Sequence, residues 1–290
     1  MPRARLHRVL LEIIIVTPPR RGLMRMQALR KVAAAMLLMK LRRFAVLGLV
    51  LFFGTLANVR GQIAPEPAMP QLPAPPTTYQ TLDGEYVIIT GGVSLMQWEK
   101  FKAQPHDNWW LNFIRASRIR IAELRNSHGP TARITWMLYT PAYKRRGAFT
   151  EKADLFGIIH SIPSAYGVKF VPFSTTSELI GYLNNRNGVK IAGLEYFGHS
   201  NRACWMFDYS NEIDSASKVW LHEDDLGRIK GNGFARNAYI RSWGCHTGES
   251  MSKKFQAACG RKMIGAIGKT QYMTETLPII STPGGKWYGL

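Results

Sequence analysis

Residues 190–200 read KIAGLEYFGHS, an apolar run that stops at Gly198-His199-Ser200. A near-continuous apolar stretch of this length reads as a β-strand buried on both faces. NAYIRSWGC, at 237–245, has the same character and stops at Gly244-Cys245, with His246, Thr247 and Gly248 beyond it. Which residue does chemistry at these two strand ends depends on the fold that carries them.

The chain around the two runs alternates between strand-like and helix-like segments. YVIIT (86–90), ARITWMLYT (132–140), VKFVPF (168–173) and MIGAIGKT (263–270) read as further strands. WWLNFIRASRIRIAELR (109–125), ADLFGIIHSI (153–162), SELIGYLN (177–184), LHEDDLGRI (221–229) and SMSKKFQAACG (250–260) read as helices, the first with Asp107 as its N-cap. Arg115, Arg118 and Arg125 are expected on a solvated face of that helix. Such alternation predicts an α/β protein, a three-layer sandwich with a mostly parallel sheet and helices on both faces. In open sheets of this kind working residues gather at the carboxyl ends of the strands, where both runs end.

Two chemistries compete there. A serine-hydrolase elbow needs Gly-x-Ser-x-Gly, because small residues on both sides let the strained turn close. Ser200 has Gly198 before it, but Arg202 stands where the second glycine belongs. Asp225 and His246 follow in the order a triad needs, without further support. A cysteine nucleophile reacts as its thiolate and needs a base or a positive field nearby. Cys245 supplies the thiol and His199 the imidazole. Gly244 gives backbone room, and amides at the turn can face a developing oxyanion. His199 precedes Cys245 by 46 residues, a spacing close to the roughly 50 of caspases and opposite in order to papain.

YFGHS and WGCHTG, each closing a buried strand, resemble the two signature blocks of the caspase-like clan of cysteine peptidases. That clan includes caspases, metacaspases, legumain, separase, gingipains and bacterial CHAT domains. The resemblance spans residues 132–272 and is that of a bacterial-type exported member; the caspase QAC-type signature is absent. It implies a cysteine endopeptidase acting on a peptide or protein substrate by acyl transfer, with Cys245 as nucleophile and His199 as its partner. The amides of Cys245 and Ser200, beside Gly244, would then hold the oxyanion. Ser200 stands where the family carries glycine, which keeps open a catalytically inactive caspase-like binding module. The serine hydrolase using Ser200 is the remaining alternative.

Trp205 and Trp243 are expected as walls of a substrate pocket, and Asp208 as a group favouring a basic side chain. No cofactor is called for. No Cys-x-x-Cys or His-x-x-x-His spacing links Cys204, His199, His222 and His246, so no metal site is expected. Three cysteines leave one thiol over; pairing Cys204 with Cys259 would leave Cys245 free.

The net charge of +19 does not mark a nucleic-acid binder. Residues 1–74 hold 12 Lys/Arg against 2 Asp/Glu, so half the excess precedes the folded part. Residues 1–61 read as a basic leader and signal peptide, with KLRR at 40–43 before the uncharged run FAVLGLVLFFGTLA at 44–57. Left uncleaved, 44–57 would be a membrane anchor. Met24, Met26, Met36 and Met39 are alternative starts that would place this run near an N-terminus. Residues 62–79 read as a Pro-rich linker and 80–290 as the α/β domain, with 80–131 expected as an extra strand and helix extending the sheet. These features point to an exported protein, periplasmic or extracellular.

Overall fold

The computed structural model describes residues 79–99, 108–208, 218–272 and 275–290. The leader, the anchor or signal run and all but the end of the Pro-rich linker lie outside the described residues, as does Asp107.

Seven strands form the main sheet. They are β1 (Glu85–Thr90), β2 (Arg133–Tyr139), β3 (Lys169–Phe173), β4 (Ile191–Phe197), β8 (Phe234–Ser242), β9 (Met263–Ile267) and β12 (Lys286–Tyr288). Their order is β12-β9-β8-β4-β1-β2-β3, parallel except for β12, which runs antiparallel to β9. The fold is therefore α/β with a mostly parallel sheet flanked by helices, consistent with a caspase-like three-layer sandwich. Three short strands, β5 (His199–Ser200), β6 (Cys204–Met206) and β7 (Trp220–His222), form a separate antiparallel sheet. A hairpin of β10 (Thr270–Gln271) and β11 (Ile279–Ile280) follows β9.

Residues 80–131 do not extend an edge. β1 lies at the middle of the sheet, parallel to β2 through Ile88↔Trp136 and to β4 through Ile88↔Glu195. The reason is hydrophobic: all six side chains of EYVIIT are buried, which only a strand covered on both faces permits. The edge goes instead to β3, whose Pro172 cannot donate to a ladder and is tolerated there.

The two-residue period of β1 divides the core. Tyr86 and Ile88 pack with Trp136, Phe197 and Trp243 beneath α1 (Asn112–His128) and α3 (Leu155–Tyr166). Val87 and Ile89 pack with Leu194, Tyr196 and Ile240 beneath α4 (Thr176–Asn184) and α5 (Met251–Cys259). A further helix, α2 (Thr140–Arg146), follows β2 directly. Thr175 and Glu178 close a capping box at the start of α4.

Three expectations change. Residues 221–229 form β7 and a 3-10 helix, Glu223–Arg228, rather than an α-helix; three acidic residues and Gly227 leave little apolar stripe to bury. α1 begins at Asn112, with Leu111 rather than Asp107 at its N-cap. Its arginines are not a solvated face: Arg115 and Arg118 are each 8% exposed, and Arg125 donates to the carbonyls of Ala132, Tyr166 and Gly167. A fork of guanidinium donors satisfies several of these carbonyls at once.

Candidate functional site

Register brings the two strand ends together. β4 and β8 run parallel with Tyr196 opposite Ser242, and the Trp243 amide donates to the Tyr196 carbonyl at 2.9 Å. His199 and Cys245 each lie three residues beyond that pair, at the same edge of the sheet. A direct bond joins the segments: Ser200 Oγ donates to the Cys245 carbonyl at 2.7 Å. Gly244 allows this approach, since a β-carbon there would collide with Ser200 Oγ and lie 3.0 Å from the Gly198 carbonyl. Gly198 is needed for a similar reason, because a β-carbon would strike the Tyr196 hydroxyl.

His199 is placed from both sides. The Tyr196 hydroxyl donates to its carbonyl at 2.6 Å, and its ring meets Phe113 of α1 edge-on at 4.9 Å. Phe113 also packs edge-on against Tyr272 at 4.8 Å, and the Gly198 amide donates to the Tyr272 hydroxyl at 3.2 Å. Burial raises the Tyr196 and Tyr272 hydroxyls well above the ordinary tyrosine range, so both stay protonated and neutral.

Cys245 is partly exposed, and its sulfur sits against Thr270. The Thr270 amide donates to Sγ at 3.3 Å, Thr270 Oγ1 lies 3.5 Å away, and the thiol faces the Thr270 carbonyl at 3.8 Å. Sequence reasoning did not single out Thr270. It closes the run MIGAIGKT, so the rule that working residues sit at carboxyl strand ends was the signal for it.

The Ser200 and Cys245 amides lie at this same edge of the sheet. In the β5–β6 hairpin the Asn201 amide donates to the Cys204 carbonyl, so the next pair, Ser200↔Trp205, is a non-bonded one. The Ser200 amide therefore points away from β6. The Cys245 amide donates to no backbone carbonyl among the described residues.

The two tryptophans expected as pocket walls are buried. Trp205 is fully buried, stacked on Tyr196 at 4.7 Å with its indole N–H on Ser242 at 3.0 Å, because the hairpin folds it back into the core. Trp243 is also buried; it stacks on Phe197 at 5.7 Å and donates to Glu195 at 2.5 Å. Asp208, expected to favour a basic side chain, is buried and paired with Arg145.

The three cysteines are free thiols, which overturns the Cys204–Cys259 pairing. Cys204 lies beside Asn201 Oδ1 at 3.3 Å, while Cys259 faces the Leu226 carbonyl at 4.0 Å. Burial pushes each of these two thiols up to about 11. No cluster of His, Cys, Asp and Glu suited to a metal occurs among the described residues. Among those residues no helix is long and apolar enough to cross a membrane.

No protein-family model, curated protein or solved structure matches the chain.

Proposed function

We propose that the protein is an exported cysteine endopeptidase that works through Cys245 and His199 on a peptide or protein substrate. The observation that supports this most is the bond from Ser200 to the Cys245 carbonyl, which ties the histidine segment to the cysteine segment at one strand edge. Cys245 gives its proton to His199, and Sγ attacks the substrate carbonyl carbon to form a C–S bond. The Ser200 and Cys245 amides stabilise the negative oxygen. The C–N bond then breaks, and the leaving amine takes the proton from the His199 imidazolium. Water, deprotonated by His199, attacks the thioester carbon; the C–S bond breaks, the acid product leaves, and the thiolate regains its proton. The cycle needs no metal or cofactor.

The serine-hydrolase alternative loses support, because the Ser200 hydroxyl has a backbone carbonyl rather than an imidazole as its partner. An inactive module that binds a partner through the same edge is the rival reading. The experiment that separates them is iodoacetamide labelling of the purified protein at neutral pH, alongside Cys245→Ala and His199→Ala. The dyad predicts rapid modification of Cys245 that slows when His199 is removed. Labelling no faster than an ordinary free thiol, unaffected by His199→Ala, would sink the enzyme reading.

A further inference from the structure

The loop that carries Cys245 is held by residues the dyad does not use. His246 has φ 62°, in the left-handed region that is unfavourable for a residue with a β-carbon and persists only where its surroundings enforce it. Two backbone bonds enforce it: the His246 amide donates to the Gly268 carbonyl at 2.8 Å, and the Gly248 amide to the Ala266 carbonyl at 2.9 Å. A carboxylate completes the lock. Glu249 Oε1 lies 2.6 Å from His246 Nδ1 and accepts the Gly268 amide at 3.3 Å. One oxygen thus joins the side chain after the nucleophile to the backbone two residues before Thr270, whose amide meets the sulfur.

We propose that Glu249 is a positioning residue for Cys245: through His246 and Gly268 it holds the Thr270 amide against Sγ and so favours the thiolate. This rests on Cys245 being the nucleophile, but the clamp acts on the thiol whether or not His199 is its partner. The bond from His246 holds the Glu249 carboxyl below the usual glutamate value, with Arg202 adding to the effect, so the clamp is charged across the neutral range. Around Cys245 lie the neutral Tyr196 and Tyr272 hydroxyls, and His199 is at the neighbouring strand end. Lys269, between Gly268 and Thr270, is exposed.

The test is the pH dependence of iodoacetamide alkylation at Cys245, followed by peptide mapping, in the wild type, Glu249→Ala, Glu249→Gln and His199→Ala. Loss of one hydrogen bond to a thiolate is expected to slow alkylation roughly tenfold below the midpoint and to move the midpoint to higher pH. Glu249→Gln keeps an acceptor without the charge and is expected to shift the profile in the same direction by less. It also carries the test if Glu249→Ala does not fold. Profiles of the Glu249 variants that superimpose on the wild type overturn the proposal, even if thermal stability has fallen. A shift in the Glu249 variants with no effect of His199→Ala supports the clamp and removes the dyad. The reverse result removes the clamp and leaves the dyad.

Discussion

The Ser200 hydroxyl donates to the Cys245 carbonyl at 2.7 Å, so the residue after the histidine is bonded to the backbone of the cysteine. This gives a physical role to the side chain that follows His199. The hydroxyl fills the space beside Gly244 and tethers the loop that carries Cys245, while the Ser200 amide still points away from the β5–β6 ladder.

Gly244 and Ser200 are therefore expected to be energetically coupled. Gly244→Ala overpacks the contact and should destabilise the protein by about 1–3 kcal/mol. Ser200→Gly removes the hydrogen bond and should cost about 1 kcal/mol. In the double variant the new methyl group has room, so urea denaturation should give a loss smaller than the sum of the two. Strict additivity would show that the contact is not formed.

Glu195 is the buried charge on which the centre of the sheet depends. It accepts from Tyr86, from Arg120 Nε at 2.6 Å and from Trp243 at 2.5 Å, joining β1, α1 and the residue that follows β8. Removing it leaves the Arg120 guanidinium partly buried beside unpaired donors. Glu195→Ala should cost roughly 3–5 kcal/mol of stability, with Glu195→Gln costing less. Equal denaturation midpoints for Glu195→Ala and the wild type would contradict this.

Much of this architecture was legible in the sequence, because the runs of β2, β4 and β9 are largely apolar and Gly129, Gly167 and Gly260 mark the ends of α1, α3 and α5. The central place of β1 differs from the expected extension of the sheet by residues 80–131; the apolar run YVII within β1, with no alternating polar face, is the signal that argues against an edge. The fates of Trp205 and Asp208 were not legible. Both follow Ser200 in a stretch that looks like a loop. The tight turn after Asn201, set by its side chain accepting the Ala203 and Cys204 amides, sends Trp205 back onto Tyr196. Asp208 is neutralised by Arg145, 63 residues away in sequence, and no local pattern announces such a pair. The Cys245–Thr270 contact likewise depends on strand order rather than on any motif.

The thiols should divide by burial. Cys204 and Cys259 are buried and pushed up to about 11, so at neutral pH they are protonated and shielded. A disulfide-exchange reagent should titrate one thiol in the native protein, at Cys245, and all three cysteines after denaturation. Two or more fast native thiols would contradict the packing around β6 and α5.

The Glu249 carboxyl is held below its ordinary value of 4.5 by its bond to His246. A depressed carboxylate contributes stability that is present above its unfolded value and lost as pH falls through the folded one. The stability difference between the wild type and Glu249→Gln should thus be present at neutral pH and vanish in acid. Denaturation curves at several pH values check it; a difference that does not change with pH would exclude a charged clamp.

The most direct test of the account is cleavage of a diverse peptide library by the purified protein, with products identified by mass spectrometry. The Cys245–His199 reading predicts cleavage that disappears in Cys245→Ala and falls roughly 10²–10⁴-fold in His199→Ala. Cys204→Ser and Cys259→Ser should retain it. Cleavage that persists in Cys245→Ala, or a folded wild type that cleaves nothing, would contradict it.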